Sequence, residues 1–246
     1  MDLSKKAFII TGASGGLGKL VSKELADQGA FLLLQARHKE KLNDIIKINK
    51  EKIKVFEDDF QKDNLVHFFS WLKTYLNAFE RTGIELYGLF NAIGIPARIS
   101  GLNYEEIEEV KKESFLINYE IPRQITEYFI KNLKGNASNI LFMGSQHTLY
   151  ETHGKESYYI PKQKLEDYAL HMHNEYPNLI VNTILAGNLG IGMSSEARKS
   201  YEENGTLVDQ DIIVKACLGL LFNRRSNGKK LSIIASHGKT SIESLV

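Results

Sequence analysis

Apolar residues along this chain fall into short unbroken runs separated by longer amphipathic stretches. Residues 7–11 form the first run, bounded by lysines and a glycine, and the pattern predicts a buried strand. After a glycine cluster at 12–18, Leu17, Leu20, Val21, Leu25 and Ala26 recur at helical spacing until Gly29, which predicts a helix with a glycine stop. The same reading gives strands at 31–34, 53–56, 86–90, 139–143, 179–185 and 231–235. It gives helices at 39–48, 62–82, 103–116, 119–133, 158–173 and 209–222. The helix at 62–82 is marked by a stripe of Leu65, Phe68, Phe69, Leu72, Leu76 and Phe79. The span 187–207, with glycines at 187, 190, 192 and 205, is the least patterned; a lid over a site or a surface loop fits it.

Strands alternate with helices throughout, and the strands are continuously apolar. A parallel sheet covered by helices on both faces produces that pattern. The fold class is therefore α/β, and the opening β-α-β-α-β order reads as half of a doubly wound dinucleotide-binding sheet. At 246 residues with 43% apolar content, residues 1–246 are expected to form one domain with a large core. The formal net charge is +1, from 31 basic and 30 acidic residues. Such a balance gives no electrostatic reason to expect nucleic acid or an anionic membrane as partner. Cys217, the single cysteine, lies in the apolar run Ala216-Cys217-Leu218, so a buried thiol and a reducing, cytoplasmic compartment are expected. The apolar run near the N-terminus is too short and glycine-rich for a signal peptide or a membrane span.

Chemistry enters at the turn Thr11-Gly12-Ala13-Ser14-Gly15-Gly16-Leu17-Gly18, between the first strand and the first helix. Glycines there permit a tight turn, close approach of a pyrophosphate and close helix–sheet packing, and the helix N-terminus offers N–H groups to phosphate. The second strand ends Gln35-Ala36-Arg37-His38-Lys39, basic and without a carboxylate. An acidic residue at that point suits the ribose hydroxyl of NAD, whereas an arginine suits the extra phosphate of NADP. NADP(H) is therefore expected over NAD(H), with Arg37 as the selecting residue.

With these features in order, the chain resembles the short-chain dehydrogenase/reductase family in its compact single-domain form. Thr11, Gly12, Gly16 and Gly18 fit the family's glycine motif, Asn91-Ala92-Ile93-Gly94 its Asn-Asn-Ala-Gly motif, and Tyr158 and Lys162 its Tyr-x-x-x-Lys motif. Asn118 and Ser145 match its catalytic asparagine and serine, and Asn182 to Gly187 its Asn-x-x-x-Pro-Gly segment, with Ala186 in place of the proline. The resemblance implies a Rossmann-like parallel sheet of about seven strands and a homo-oligomer, dimer or tetramer. It implies cofactor contacts at Gly12, Ser14, Gly16, Leu17 and Gly18. Further contacts are implied at Asp59 and Phe60 after the third strand, at Asn91, Ala92 and Gly94, at Tyr158 and Lys162, and at Gly187 and Leu189. Ile191 replaces a threonine that often contacts the nicotinamide, and Pro161 stands where a small residue is usual.

Tyr158 and Lys162, four residues apart on a helix, share a face. A neighbouring ammonium is expected to lower the tyrosine pKa and make it a usable acid/base, while Ser145 hydrogen-bonds the substrate oxygen. The resemblance assigns Asn118 to a water-linked proton relay with Lys162. Tyr159 and Gln163 share that spacing but lack the charge. His147, Leu149, Tyr150, Arg98 and the span 188–207 are the pocket candidates, and His153 lies with His147 between the fifth strand and the helix at 158–173. His171 and His173 point to different helix faces, and no zinc spacing appears. Ser145 is not in a Gly-x-Ser-x-Gly elbow, against hydrolase chemistry. The expected activity is interconversion of a small carbonyl and alcohol by hydride transfer. Two readings compete with it: a catalytically silent dinucleotide-binding scaffold, and the epimerase or dehydratase chemistry of larger sugar-nucleotide relatives, whose glycine spacing Gly12, Gly15 and Gly18 satisfy.

Overall fold

The computed structural model describes residues 2–60, 65–96, 99–133, 138–150, 154–190, 195–223 and 227–245. Its strands are β1 (Lys6–Thr11), β2 (Phe31–Ala36), β3 (Ile53–Glu57), β4 (Glu85–Asn91), β5 (Asn139–Ser145), β6 (Ile180–Ala186), β7 (Lys230–Ser236) and β8 (Lys239–Ser244). They form one sheet in the order β3-β2-β1-β4-β5-β6-β7-β8. The helices are α1 (Gly16–Asp27), α2 (Asn43–Ile46), α3 (Leu65–Thr82), α4 (Tyr104–Phe115), α5 (Ile121–Lys131), α6 (Glu156–Glu175), α7 (Ser195–Glu203) and α8 (Gln210–Phe222). Strand order reverses between β1 and β4, and a ligand crevice is expected at the carboxyl ends of strands around such a point.

Alternate side chains of each central strand enter opposite cores. Phe8, Ile10, Leu32 and Leu34 pack with Val21 and Leu25 of α1 and Ile213, Cys217 and Leu221 of α8. Ala7, Ile9, Leu33 and Leu89 pack with Phe68 and Leu72 of α3, Ile125 and Phe129 of α5, and Leu165 of α6. Burial on both faces, worth roughly 1.5–3 kcal/mol for each large aliphatic or aromatic side chain, is why these strands read as unbroken apolar runs.

The structure departs from the sequence reading in four places. Among the described residues the sheet has eight strands rather than about seven, and β8 runs antiparallel to β7. His237 and Gly238 both have positive φ, 52° and 73°, which matches the two-residue hairpin turn compatible with strand twist. The helix expected over 39–48 is a 3-10 turn at Lys39–Leu42 followed by the single turn of α2. Only Leu42 and Ile45 of it are buried, while Ile48 is exposed. The span 187–207 contains α7, and its ends are joined by a bridge between Asn188 and Leu207. Finally, α6 begins at Glu156, so Pro161 lies beyond the first turn.

Candidate active site

The glycine turn is locked on three sides. Gly12 has φ +65°, and a Cβ there would lie 2.8 Å from the Ile93 Cα. A Cβ on Gly18 would overlap the Gly12 carbonyl oxygen. Gln35, buried at the end of β2, accepts from the Gly12 N–H through Oε1 at 2.9 Å, and its carbonyl accepts from the Ala13 N–H at 2.8 Å. Gln35 is thus a structural residue of the turn that motif reasoning passed over. Helix α1 starts at Gly16 behind the N-cap Gly15, which supplies no side-chain cap, and has no acidic residue in its first turn, which leaves its N-terminal dipole to an anion.

A cavity of about 850 Å³ lies over this turn, walled by Gly12, Ser14, Gly16, Arg37, Asp59 and Ala92, among others. Lys19, His38 and Lys41 join Arg37 on its wall, so the end of β2 faces the cavity with more positive charge than Arg37 alone. Lys19 and Lys41 were not singled out from the sequence; both fall just outside the motif positions. This cavity shares Gly15, Gly16, Ala92, Gly94 and Ile95 with a second of about 510 Å³. The second is lined by Leu17, Gly18, Ser145, Tyr158, Lys162, Gly187 and Leu189, together with His147 and Lys155. Helix α7 reaches both cavities, Arg198 the first and Tyr201 the second.

Two of the expected cofactor residues lie elsewhere. Phe60 has φ 61° and its ring is buried against Phe68, with ring centroids 5.2 Å apart. Asn91 is fully buried, donating to the Thr126 hydroxyl at 2.9 Å. It braces the strand end beneath the cavity. Leu149 and Tyr150 are exposed and do not line the cleft. Arg98, His153 and Ile191 lie outside the described residues. His171 is exposed, and His173 pairs with Asn227 at 3.0 Å. Among the described residues no group of histidine, cysteine or acidic side chains is arranged to hold a metal.

Ser145 ends β5 and is 4% exposed. Tyr158 and Lys162 project from α6, one turn apart, into the same cleft, whereas Tyr159 and Gln163 do not line it. Lys162 is buried and donates to the Met143 carbonyl at 2.9 Å. Burial pulls its ammonium down to about 8, against the opposing pull of the Glu166 carboxylate. The expected lowering of Tyr158 is reversed among the protein's own groups: burial pushes the phenol up, and only the Ser145 hydroxyl opposes it. His147 packs edge-on to Tyr158, centroids 6.2 Å apart, with Nε2 3.3 Å from Lys155 Nζ. Burial and that ammonium hold His147 below its ordinary value.

Asn118 sits in a single π-helical turn, Leu116–Glu120, between α4 and α5. Such turns occur often at functional sites. Its amide donates to the Ile95 carbonyl at 3.0 Å and accepts from the Ile95 N–H at 3.1 Å. A Cβ on Gly94 would come within 2.9 Å of Asn118 Oδ1 and 3.0 Å of Lys162 Nζ, so Gly94 lets both groups close on the cleft wall. Pro161 has no N–H for the Ser157 carbonyl one turn back. The Ser114 hydroxyl donates to that carbonyl instead, at 2.6 Å, and accepts from Asn118 Nδ2 at 2.9 Å. The proline thereby joins α6 to Asn118.

Residues 6–202 match the family model described as short chain dehydrogenase. A yeast (Saccharomyces cerevisiae) NADPH-dependent 1-acyldihydroxyacetone phosphate reductase is 28% identical over 203 residues, 81% of this chain and 65% of the reductase. The chain thus spans less than two thirds of that relative's length. A structure of an Escherichia coli CFT073 protein assigned as a short chain dehydrogenase, complexed with NADPH, superposes with a TM-score of 0.74 at 21% identity, covering 94% of this chain and 98% of the other. One assigned as a D-mannonate oxidoreductase from Haemophilus influenza, with bound NAD, gives 0.74 at 19% identity and covers 94% of each. At these identities the structural likeness is one of fold. By the extent of the family match, this chain belongs to the short-chain dehydrogenase/reductase family of NAD(P)-dependent oxidoreductases.

Proposed function

We propose that the protein interconverts a carbonyl and an alcohol with NADP(H) as cofactor, using Ser145, Tyr158 and Lys162 directly and Asn118 as their support. The convergence of Ser145, Tyr158 and Lys162 on the cleft that continues from the glycine turn carries this reading. The turn fits a dinucleotide, because Gly12, Ser14, Gly15 and Gly16 line the cavity with backbone and α1 begins there with no side-chain cap on its N–H groups. Gly12 to Gly18 would hold the pyrophosphate, Arg37 with Lys19 and Lys41 the ribose phosphate, and Asp59 the adenine end. Ala92, Gly94, Gly187 and Leu189 would flank the nicotinamide. The bound cofactor supplies or accepts the hydride at the substrate carbon. In reduction Tyr158 gives its proton to the substrate oxygen, and Ser145 donates a hydrogen bond to that oxygen. Lys162 holds the ribose and places positive charge where the phenolate forms.

The cleft around these groups combines apolar walls, Ile95, Pro96 and Leu189, with the basic edge of Lys155. The yeast relative's name includes a phosphate-bearing ketone, so such ketones belong in the first substrate panel. The test is oxidation of NADPH with a panel of neutral and phosphate-bearing ketones. Turnover of any of them supports the reading, and none with tight NADPH binding favours a silent scaffold.

Cofactor choice gives a separate test. Arg37→Asp is expected to weaken NADPH binding by about 10–100-fold, the value of a lost charge-assisted contact, with little loss for NADH. Fluorescence titration of both cofactors measures it. Tighter NADH than NADPH binding by the wild type would overturn the preference.

Assembly as a dimer or tetramer is part of the same proposal. Ile121, Ile125 and Phe129 are buried within the protein, so the surface left for a partner is the α4 side, with Ile107, Val110 and Phe115 half-buried there. Light scattering at micromolar protein is expected to give a multiple of 27.9 kDa; a monomer rules the oligomer out.

A further inference from the structure

Glu166 lies one turn beyond Lys162 on α6, so Tyr158, Lys162 and Glu166 form an i, i+4, i+8 row on one helix face. Its side chain is only 4% exposed, and Oε2 pairs with Lys230 Nζ of β7 at 2.6 Å. The other oxygen, Oε1, is fully buried. It points at the end of β5: a Cβ on Gly144 would stand 2.8 Å from it. Lys162 meets the same strand end one residue earlier, at the Met143 carbonyl, 2.9 Å away. Two consecutive turns of α6 thus meet the strand end at Met143 and Gly144, immediately before Ser145, Lys162 through a hydrogen bond and Glu166 by close packing.

A buried carboxylate in that place is costly unless it is compensated. Burial pushes the Glu166 carboxyl up, and Lys230 is the main group pulling it back, with lesser help from the Thr148 hydroxyl and the Ser145 N–H. Among the described residues the charged groups that act with it are Lys162 on its own helix and Lys230 from β7, and β5 with the turn after it adds the Ser145 N–H and the Thr148 hydroxyl. The Glu166 carboxylate also opposes the effect of burial on Lys162. Lys230 is 31% exposed, so the pair it makes with Glu166 reaches solvent at β7.

We propose that Glu166, held by Lys230, is a positioning residue that keeps Lys162 charged and the Gly144–Ser145 strand end in place. The proposal rests on the functional reading above for its meaning in catalysis, and its test is chosen to stand apart from that reading. Protein labelled with 13C at the lysine ε-carbon reports the titration of Lys162 directly, the signal being assigned by its loss in Lys162→Arg. The wild-type midpoint is expected near 8. In Glu166→Gln it should fall by about one pH unit or more, the usual effect of losing a close opposite charge. Glu166→Asp should restore part of the difference. Lys230→Met leaves the carboxyl in place but unsupported, and should move the midpoint in the same direction. The double variant should match Glu166→Gln alone, because Lys230 acts through Glu166. An unchanged Lys162 midpoint in Glu166→Gln overturns the proposal. If Glu166→Gln does not fold, an unchanged midpoint in Lys230→Met overturns it equally. NADPH titration of the wild type is the separate arm: failure to bind would sink the oxidoreductase reading and leave the Lys162 result standing.

Discussion

Tyr158→Phe should reduce turnover by about 10²–10⁴, the range of lost general acid/base catalysis, while leaving NADPH affinity close to that of the wild type. The ring stays and keeps its edge-on packing with His147; only the proton and the contact with Ser145 go. Tyr159→Phe is the control, since Tyr159 does not line the cleft, and it should retain activity. Single-turnover hydride transfer with an accepted ketone separates the two variants, and wild-type transfer by Tyr158→Phe would remove Tyr158 from the mechanism. The pH profile carries a second expectation. Burial pushes the phenol up but pulls Lys162 down to about 8, so the lysine is the first of the pair to change charge as pH rises. It is charged below that value and neutral above it. Reduction should therefore hold at lower pH and fall through about 8, a limb that belongs to Lys162 rather than to the phenol. A limb appearing only above the ordinary tyrosine range would contradict this assignment.

The parts of this fold that were legible in the sequence are those in which a local pattern and the tertiary environment agree. The central strands are buried on both faces and so carry unbroken apolar runs, and α1 and α3 announce themselves by stripes and glycine stops. β8 carries neither signal. It is an edge strand, mostly exposed, and its run Lys-Thr-Ser-Ile-Glu-Ser has a single large apolar residue, Ile242, itself 49% exposed; pairing with β7 holds it, not burial. The helix over 39–48 failed because only two of its side chains reach the core. At the site, spacing was enough to place Ser145, Tyr158 and Lys162 in one cleft, because a strand end and one helix face set their geometry. Spacing could not separate Asn91 and Phe60 from residues facing the cavity, because which way a side chain points at a strand end, or just past one as at Phe60 with its positive φ, depends on the local backbone turn. Nor could it reveal Glu166 or Gln35, whose partners are distant in the chain and belong to no motif.

Gly18→Ala tests how tightly the glycine turn is built, and it should damage folding and cofactor binding together. Alanine is the better helix former by about 1 kcal/mol, so propensity alone predicts a gain. Its Cβ, however, would overlap the Gly12 carbonyl oxygen, and Gly12 cannot give way. Its N–H is held by Gln35 at 2.9 Å, the next N–H by the Gln35 carbonyl at 2.8 Å, and Ile93 closes the other side. Relief must come from α1 moving off the sheet, where Leu17, Val21 and Leu25 are buried. Overpacking of this kind costs about 1–3 kcal/mol, or several degrees in melting temperature for a chain of this size at roughly 2–4 °C per kcal/mol. The same displacement carries the helix N-terminus away from the position proposed for the pyrophosphate, so NADPH affinity should drop at least about tenfold, the effect of losing one charge-assisted contact. Gly219→Ala in α8 is the control: a Cβ there meets nothing within 4 Å, and the substitution should raise stability by about 0.5–1 kcal/mol through propensity and unfolded-state entropy. Thermal melts and NADPH titration of both variants decide the matter. A Gly18→Ala protein that melts at or above the wild-type temperature and binds NADPH normally would show that the turn is not the rigid cradle this geometry requires.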